Sequence, residues 1–191
     1  MESPYSHAAL IDLVMDTLCG VLGCDRSELT ADHAIGNDLG AESLDFVELR
    51  YNLERTLGIV LPQRSVLDHY GAASGDPQAL YVGGKLSEIG AYALQNSFFA
   101  YSSKLAHAGA GTHEVMAGAT ISNWAGLLKG VLDCLPAQCP DCGHEHAVIA
   151  PSGKPACAAC GSVVKPLAGD EAMALSMQEA AAGWESQKLV A

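Results

Sequence analysis

Two groups of residues in this 191-residue chain have the types and spacing to do chemistry. The first is a pair of C-x-x-C-G turns, "CPDCG" at 139–143 and "CAACG" at 157–161. Each turn offers two thiolates to one side of a tetrahedral ion, and four thiolates close the shell, leaving no position for water or substrate. Cys139, Cys142, Cys157 and Cys160 are therefore expected to hold a structural Zn²⁺, with iron as the competing soft-ligand metal. The second is a serine, Ser43, in "NDLGAESLDF" at 37–46, where an acidic loop passes through Gly40 into an apolar-periodic run. A hydroxyl at that place is a plain N-cap or a surface nucleophile. Other candidates are weaker. "THE" at 112–114 lacks the H-E-x-x-H spacing because position 117 is alanine. His144 and His146 are expected to be solvated turn residues, and Cys19, Cys24 and Cys134 ordinary thiols.

The elements that position these residues are mostly helical by periodicity. Residues 6–22 read as an amphipathic helix, with Leu10, Val14, Leu18 and Leu22 recurring every four residues, Ser6 as cap and Gly23 as stop. A polar loop over 23–42 follows, anchored by Leu29, Ile35 and Leu39. A second helix spans 43–57 and ends at Gly58. A short third helix is expected from Pro62 toward His69, and a fourth over about 85–96 with Leu86, Ile89, Ala93 and Leu94 inward. Residues 101–118, rich in Gly, Ala and His, look like a linker, and 120–135 resume a helical pattern. The cysteine unit occupies about 137–167. A tail from Asp170 reads as helical to near Gly183.

On a helical wheel the second helix has two apolar stripes. Phe46, Leu49, Leu53 and Leu57 lie on one side. Leu44, Val47 and Tyr51 lie nearly opposite, flanked by Glu48 and Glu54 with Asp45 a little farther around. Such a helix is either packed on both sides or presents an acid-bordered apolar stripe to a partner protein.

The stretch "DLGAESLDFVELRYNLERTLGIVLP" resembles the core of acyl carrier proteins, whose signature is D-L-G-[AG]-[DE]-S-L followed by a helix and G-I-x-[hydrophobic]-P. The resemblance covers roughly residues 6–98. It implies a four-helix bundle with a long first loop, and it implies that Ser43 receives a 4'-phosphopantetheine arm from coenzyme A through a separate phosphopantetheinyl transferase. The arm's thiol would then hold acyl groups as thioesters. Glu42, Leu44, Asp45, Val47, Glu48 and Tyr51 would dock acyl-transferring, condensing or acyl-activating enzymes with basic surfaces. Glu42 stands where the family more often has aspartate, and the segment containing "GAASGDP" at 71–77 is longer than usual.

The expected fold is thus mainly α: a four-helix acyl-carrier-like bundle followed by a helix and a small zinc-ribbon β unit. The expected division is 1–100 as the carrier-like domain, 101–136 as linker plus helix, 137–167 as the ribbon and 168–191 as a helical tail. The expected function is that of a carrier in fatty-acid, polyketide or specialised biosynthesis, a cosubstrate and not an enzyme, with the ribbon as a structural or partner-docking appendage. A zinc-ribbon adaptor or nucleic-acid-binding protein is the alternative, and charge opposes it. The chain holds 22 acids against 10 Lys and Arg, a net of −12, whereas nucleic-acid binders concentrate positive charge. With 49% hydrophobic and 17% charged residues the chain can build a core. No apolar run spans a membrane, and "MESPYSH" lacks the form of a signal peptide, so the expected location is the cytoplasm.

Overall fold

The computed structural model describes residues 1–188. Helix α1 (His7–Leu22) opens where the Ser6 hydroxyl accepts the Ala9 N–H and closes at Gly23 in the left-handed conformation, burying Leu10, Val14, Met15 and Leu18. Helix α2 (Ser43–Leu57) buries Leu49, Leu53 and Leu57 completely and stops at Gly58. The Arg50 guanidinium donates to the carbonyls of Leu61 and Pro62, fixing the chain that leaves α2. Past that clamp, Gln63 and Arg64 form a bend and not a helical turn. The third helix, expected from Pro62, begins instead where Ser65 and Asp68 form a reciprocal capping box, giving α3 (Val66–Ser74).

The expected fourth helix is also shorter. Tyr81–Val82 (β1) and Lys85–Leu86 (β2) pair as an antiparallel hairpin, and the Ser87 hydroxyl then caps α4 (Glu88–Gln95) at the Gly90 N–H. Leu86, Ala93 and Leu94 are buried and Ile89 is half-buried, as their spacing predicts. Residues 101–118 are folded. They bury Tyr101, Ala106, Ala110 and Val115 and carry the short helix α5 (Thr112–Ala117). Small side chains read as loop by composition, yet here they allow close packing.

Helix α6 (Ile121–Leu132) lies on α1 and buries Ile121, Leu128, Val131 and Leu132 completely. Strands β3 (Ala147–Ile149) and β4 (Pro155–Cys157) form the hairpin of the cysteine unit. Helix α7 (Gly169–Lys188) runs past Gly183 and packs along α3 through Met173 and Met177. Its first residue is held so close to Leu61 and Pro62 that a Cβ there would approach their backbone within 2.2 Å. One hydrophobic core therefore runs from Tyr5 through α1–α6 to Ala180 in α7, and a small second core of Leu135, Cys139, Cys157 and Val164 belongs to the cysteine unit. The architecture is mainly α with a small β unit, as expected. Among the described residues no helix is long and apolar enough to cross a membrane.

Candidate functional site

Ser43 is the first residue of α2 and is exposed. The N-cap position belongs to Glu42, whose backbone N–H is accepted by the Asp45 carboxylate at 2.7 Å. The helix start is thus closed by residues on either side of the serine. Its hydroxyl makes no hydrogen bond to another described residue and stands at the positive end of a 15-residue helix dipole. Glu42, Leu44, Val47, Glu48 and Tyr51 are exposed beside it or farther along α2, with Leu44, Val47 and Tyr51 81%, 63% and 58% exposed. So the second stripe of α2 is not covered by another part of the described chain. Asp45 is half-buried, consistent with its part in the helix start. Phe46, placed by its periodicity with the buried stripe, is only half-buried and stacks on Trp124 with ring centroids 6.0 Å apart.

The loop that delivers Ser43 is rigidly tied. Ile35 is fully buried, the Ala34 N–H reaches the Asp38 carboxylate at 2.8 Å, and Ala41 N–H bonds the Ile35 carbonyl. Gly40 then takes a left-handed turn (φ 71°) that side-chain-bearing residues enter only with strain. The same loop pairs with the α5–α6 junction: Ile35 N–H to Ala119 O at 3.0 Å, Asn37 N–H to Ala117 O at 3.2 Å, and Ile121 N–H to His33 O at 3.1 Å. Ala34 and Thr120 form an antiparallel bridge. This union joins residues about eighty positions apart, and no periodicity within either stretch announces it.

The four cysteines come together at the other end of the chain's β unit. All four sulfurs lie within 4.8 Å of one another. Cys139 and Cys160 Sγ are 3.8 Å apart, Cys142 and Cys157 Sγ 3.5 Å, close to the edge of roughly 3.8 Å that ~2.3 Å metal–sulfur bonds give a tetrahedron. The two turns are built alike: Gly143 N–H bonds Cys139 O and Gly161 N–H bonds Cys157 O, both glycines having φ 75°. Hydrogen bonds from the Ser162 hydroxyl and backbone N–H pull the Cys160 thiol down to about 6. Four thiolates at this separation repel one another strongly unless a cation sits among them. The donor set and spacing fit Zn²⁺, and the cluster has the form of a zinc ribbon.

His144 and His146 face each other at 5.4 Å outside this cluster. Cys19 and Cys24 Sγ are 4.0 Å apart beside the end of α1. The ribbon's turn is seated against the bundle. Tyr5 donates to the Gly153 carbonyl, and the Lys154 side chain lies over Gly58 at the end of α2.

Residues 12–71 match the family described as "Phosphopantetheine attachment site". Over 53 residues the chain is 43% identical to the acyl carrier proteins of two Porphyromonas gingivalis strains, ATCC 33277 and W83, and 40% identical to that of Guillardia theta. These alignments cover 28% of this chain, and 63% of the Porphyromonas proteins and 65% of the Guillardia protein, so the chain spans under two thirds of the relatives' length. No solved structure gives a significant match. Residues 12–71, with Ser43 at the head of α2, are thus similar to a phosphopantetheine-attachment segment, and 53 residues of the chain are similar to acyl carrier proteins.

Proposed function

We propose that this chain is an acyl carrier whose Ser43 is esterified by 4'-phosphopantetheine. The observation that carries this reading is an exposed Ser43 hydroxyl, free of capping duty, inside the matched segment. A phosphodiester on that oxygen lies at the positive helix end, where the dipole favours an anion. No described side chain is hydrogen-bonded to the hydroxyl as a base would be. Deprotonation during transfer from coenzyme A therefore falls to a separate phosphopantetheinyl transferase. The arm, when attached, supplies the thiol on which acyl groups ride as thioesters. The protein's own work is to hold Ser43 outward and to dock other enzymes, as a cosubstrate and not as a catalyst.

Docking falls to Leu44, Val47 and Tyr51 with Glu42 and Glu48 around them. An apolar stripe bordered by acids suits acyl-transferring, condensing or acyl-activating enzymes with basic surfaces, steered by charge. Asp45 contributes charge, but its carboxylate is already engaged at the helix start. Cys139, Cys142, Cys157 and Cys160 hold a structural Zn²⁺ that folds the ribbon, and the ribbon in turn braces the end of α2. Location in the cytoplasm, with the other enzymes of the pathway, belongs to the same proposal.

Intact-protein mass after incubation with coenzyme A and a phosphopantetheinyl transferase tests the attachment. One added arm per chain, absent from Ser43→Ala, is the expected result. No addition to the folded wild-type protein would end the carrier reading.

A further inference from the structure

Read singly, Cys19 and Cys24 are ordinary thiols, but the end of α1 sets them side by side. Gly23 takes the left-handed turn (φ 69°), and its N–H reaches the Cys19 carbonyl at 3.0 Å. A helix closed in this way folds the residue after the turn back onto the helix's last turn, where an apolar pair usually meets. Here the two positions hold cysteines, with Sγ atoms 4.0 Å apart. The chain beyond is tied down as well. The Arg26 guanidinium bonds Asp12 at 2.6 Å and Asp16 at 3.1 Å, both on the helix that carries Cys19. Asp25 then caps the short turn Arg26–Glu28 by accepting the Ser27 N–H. Both thiols pack against the edge of the core and are half-buried, within reach of a small reagent.

We propose that Cys19 and Cys24 form a modification site: a dithiol that closes reversibly to an intramolecular disulfide when it meets a disulfide oxidant. The other thiols are engaged elsewhere. Four stand together in the ribbon, and the Cys134 thiol donates to the Gly130 carbonyl at 3.4 Å. Among the described residues no third ligand joins Cys19 and Cys24 to make a metal site. The chemistry balances with a low-molecular-weight disulfide such as oxidised glutathione. One cysteine thiolate attacks it and releases the first glutathione thiol. The second thiolate then attacks the mixed disulfide and releases the other. The bond between Cys19 and Cys24 forms, the oxidant leaves as two thiols, and the two protons lost by the cysteines end on those thiols. The sulfurs must close from 4.0 Å to about 2.05 Å, a gap that rotation about the Cα–Cβ bonds can span. Only four residues separate the cysteines, and the ring lies at the edge of the fold, open to reducing thiols. Exposed disulfides of this kind are the labile, regulatory ones, in keeping with a reducing compartment. Once closed, the bond pins the start of the 23–42 loop, whose other end delivers Ser43.

Trypsin isolates the pair, because the first basic residue is Arg26 and residues 1–26 contain no other cysteine. The zinc-loaded full chain is equilibrated in glutathione buffers of graded oxidised-to-reduced ratio, quenched with acid and N-ethylmaleimide, and mapped by mass. The expected product is a 1–26 peptide that lacks two hydrogens and carries no maleimide, and that takes up two maleimides after dithiothreitol. Half-closure in the folded chain should need about tenfold less oxidised glutathione than in urea-unfolded chain, because the helix end has already brought the sulfurs together. By linkage, the closed form should melt at a higher temperature than the open form, and Cys24→Ser should show no such shift under the same oxidant. Free thiols or glutathione adducts persisting on that peptide at the most oxidising ratio would overturn the proposal. So would closure no easier in the folded chain than in the unfolded one. None of these readouts depends on an arm at Ser43, so the carrier reading stands or falls separately.

Discussion

Around Ser43 the work is divided among neighbours. The serine is free because Glu42 takes the cap position and Asp45 accepts the Glu42 N–H. Asp45→Ala removes that acceptor and an acid from the first turn, and should cost about 1 kcal/mol in urea unfolding, whereas Asp45→Asn, which keeps an acceptor, should cost less. Equal stability of all three proteins would show that the carboxylate serves docking alone. The residue types here were readable from the chain: Gly40 in a left-handed turn, Ser43 at a helix start, and four cysteines at chelating intervals. Phe46 packs against the same core as Leu49 and Leu53, as its spacing placed it, but at the first turn it is only half-buried and stacks on Trp124.

Helix α2 was legible to the residue, because its breakers and its three buried leucines stand at ideal spacing. Helix α7 was not, since Gly183 breaks no helix whose neighbouring turns pack on α3. At the start of α7, Asp170 joins the elements electrostatically. Burial alone would raise its carboxyl, but the N–H groups of Arg64 and Gln63 and the side chain of His69 outweigh this and hold it low. Asp68 is lowered likewise, first by the Ser65 hydroxyl. A carboxyl whose folded value lies below its unfolded value, near 3.9, stabilises fully above that pH and loses its contribution as pH falls through the folded value. Thermal midpoints should therefore drop as pH is lowered below about 4, and less steeply in Asp170→Asn. An unchanged slope would count against the α7–α3 junction. The ribbon offers a separate check. Its own core is four residues, too few to fold a hairpin unaided. Elemental analysis should find one zinc per chain. A chelator should remove it, more readily as pH falls and thiolates protonate, raising amide exchange in β3 and β4 while the helical signal persists. Purified protein without metal and with a protected hairpin would contradict the assignment.

Across the whole molecule, the regions that composition presented as appendage and linker are structural partners of the carrier-like helices. Residues 101–118 looked like a linker because glycine and alanine carry no periodic signal, and the pairing of 33–37 with 117–121 is long-range and silent in either strand of text. Ile121, Leu128, Val131 and Leu132 are fully buried, α6 packing on α1, and each such side chain returned to water costs about 1.5–3 kcal/mol. That sum rivals the total stability of a domain this size, about 5–15 kcal/mol. A chain cut after residue 100 is therefore expected to lose its cooperative thermal transition. A sharp, native-like melt of the 1–100 fragment would show that the bundle stands alone.

The central claim is one covalent bond at one oxygen, and peptide mapping reads it most directly. Trypsin, cutting after Arg26 and Arg50, releases residues 27–50 with three hydroxyls, on Ser27, Thr30 and Ser43. From protein incubated with coenzyme A and a phosphopantetheinyl transferase, this peptide should carry a single phosphopantetheine, and fragmentation should place it on Ser43. A peptide of unmodified mass, or an arm found on Ser27 or Thr30, would contradict the account.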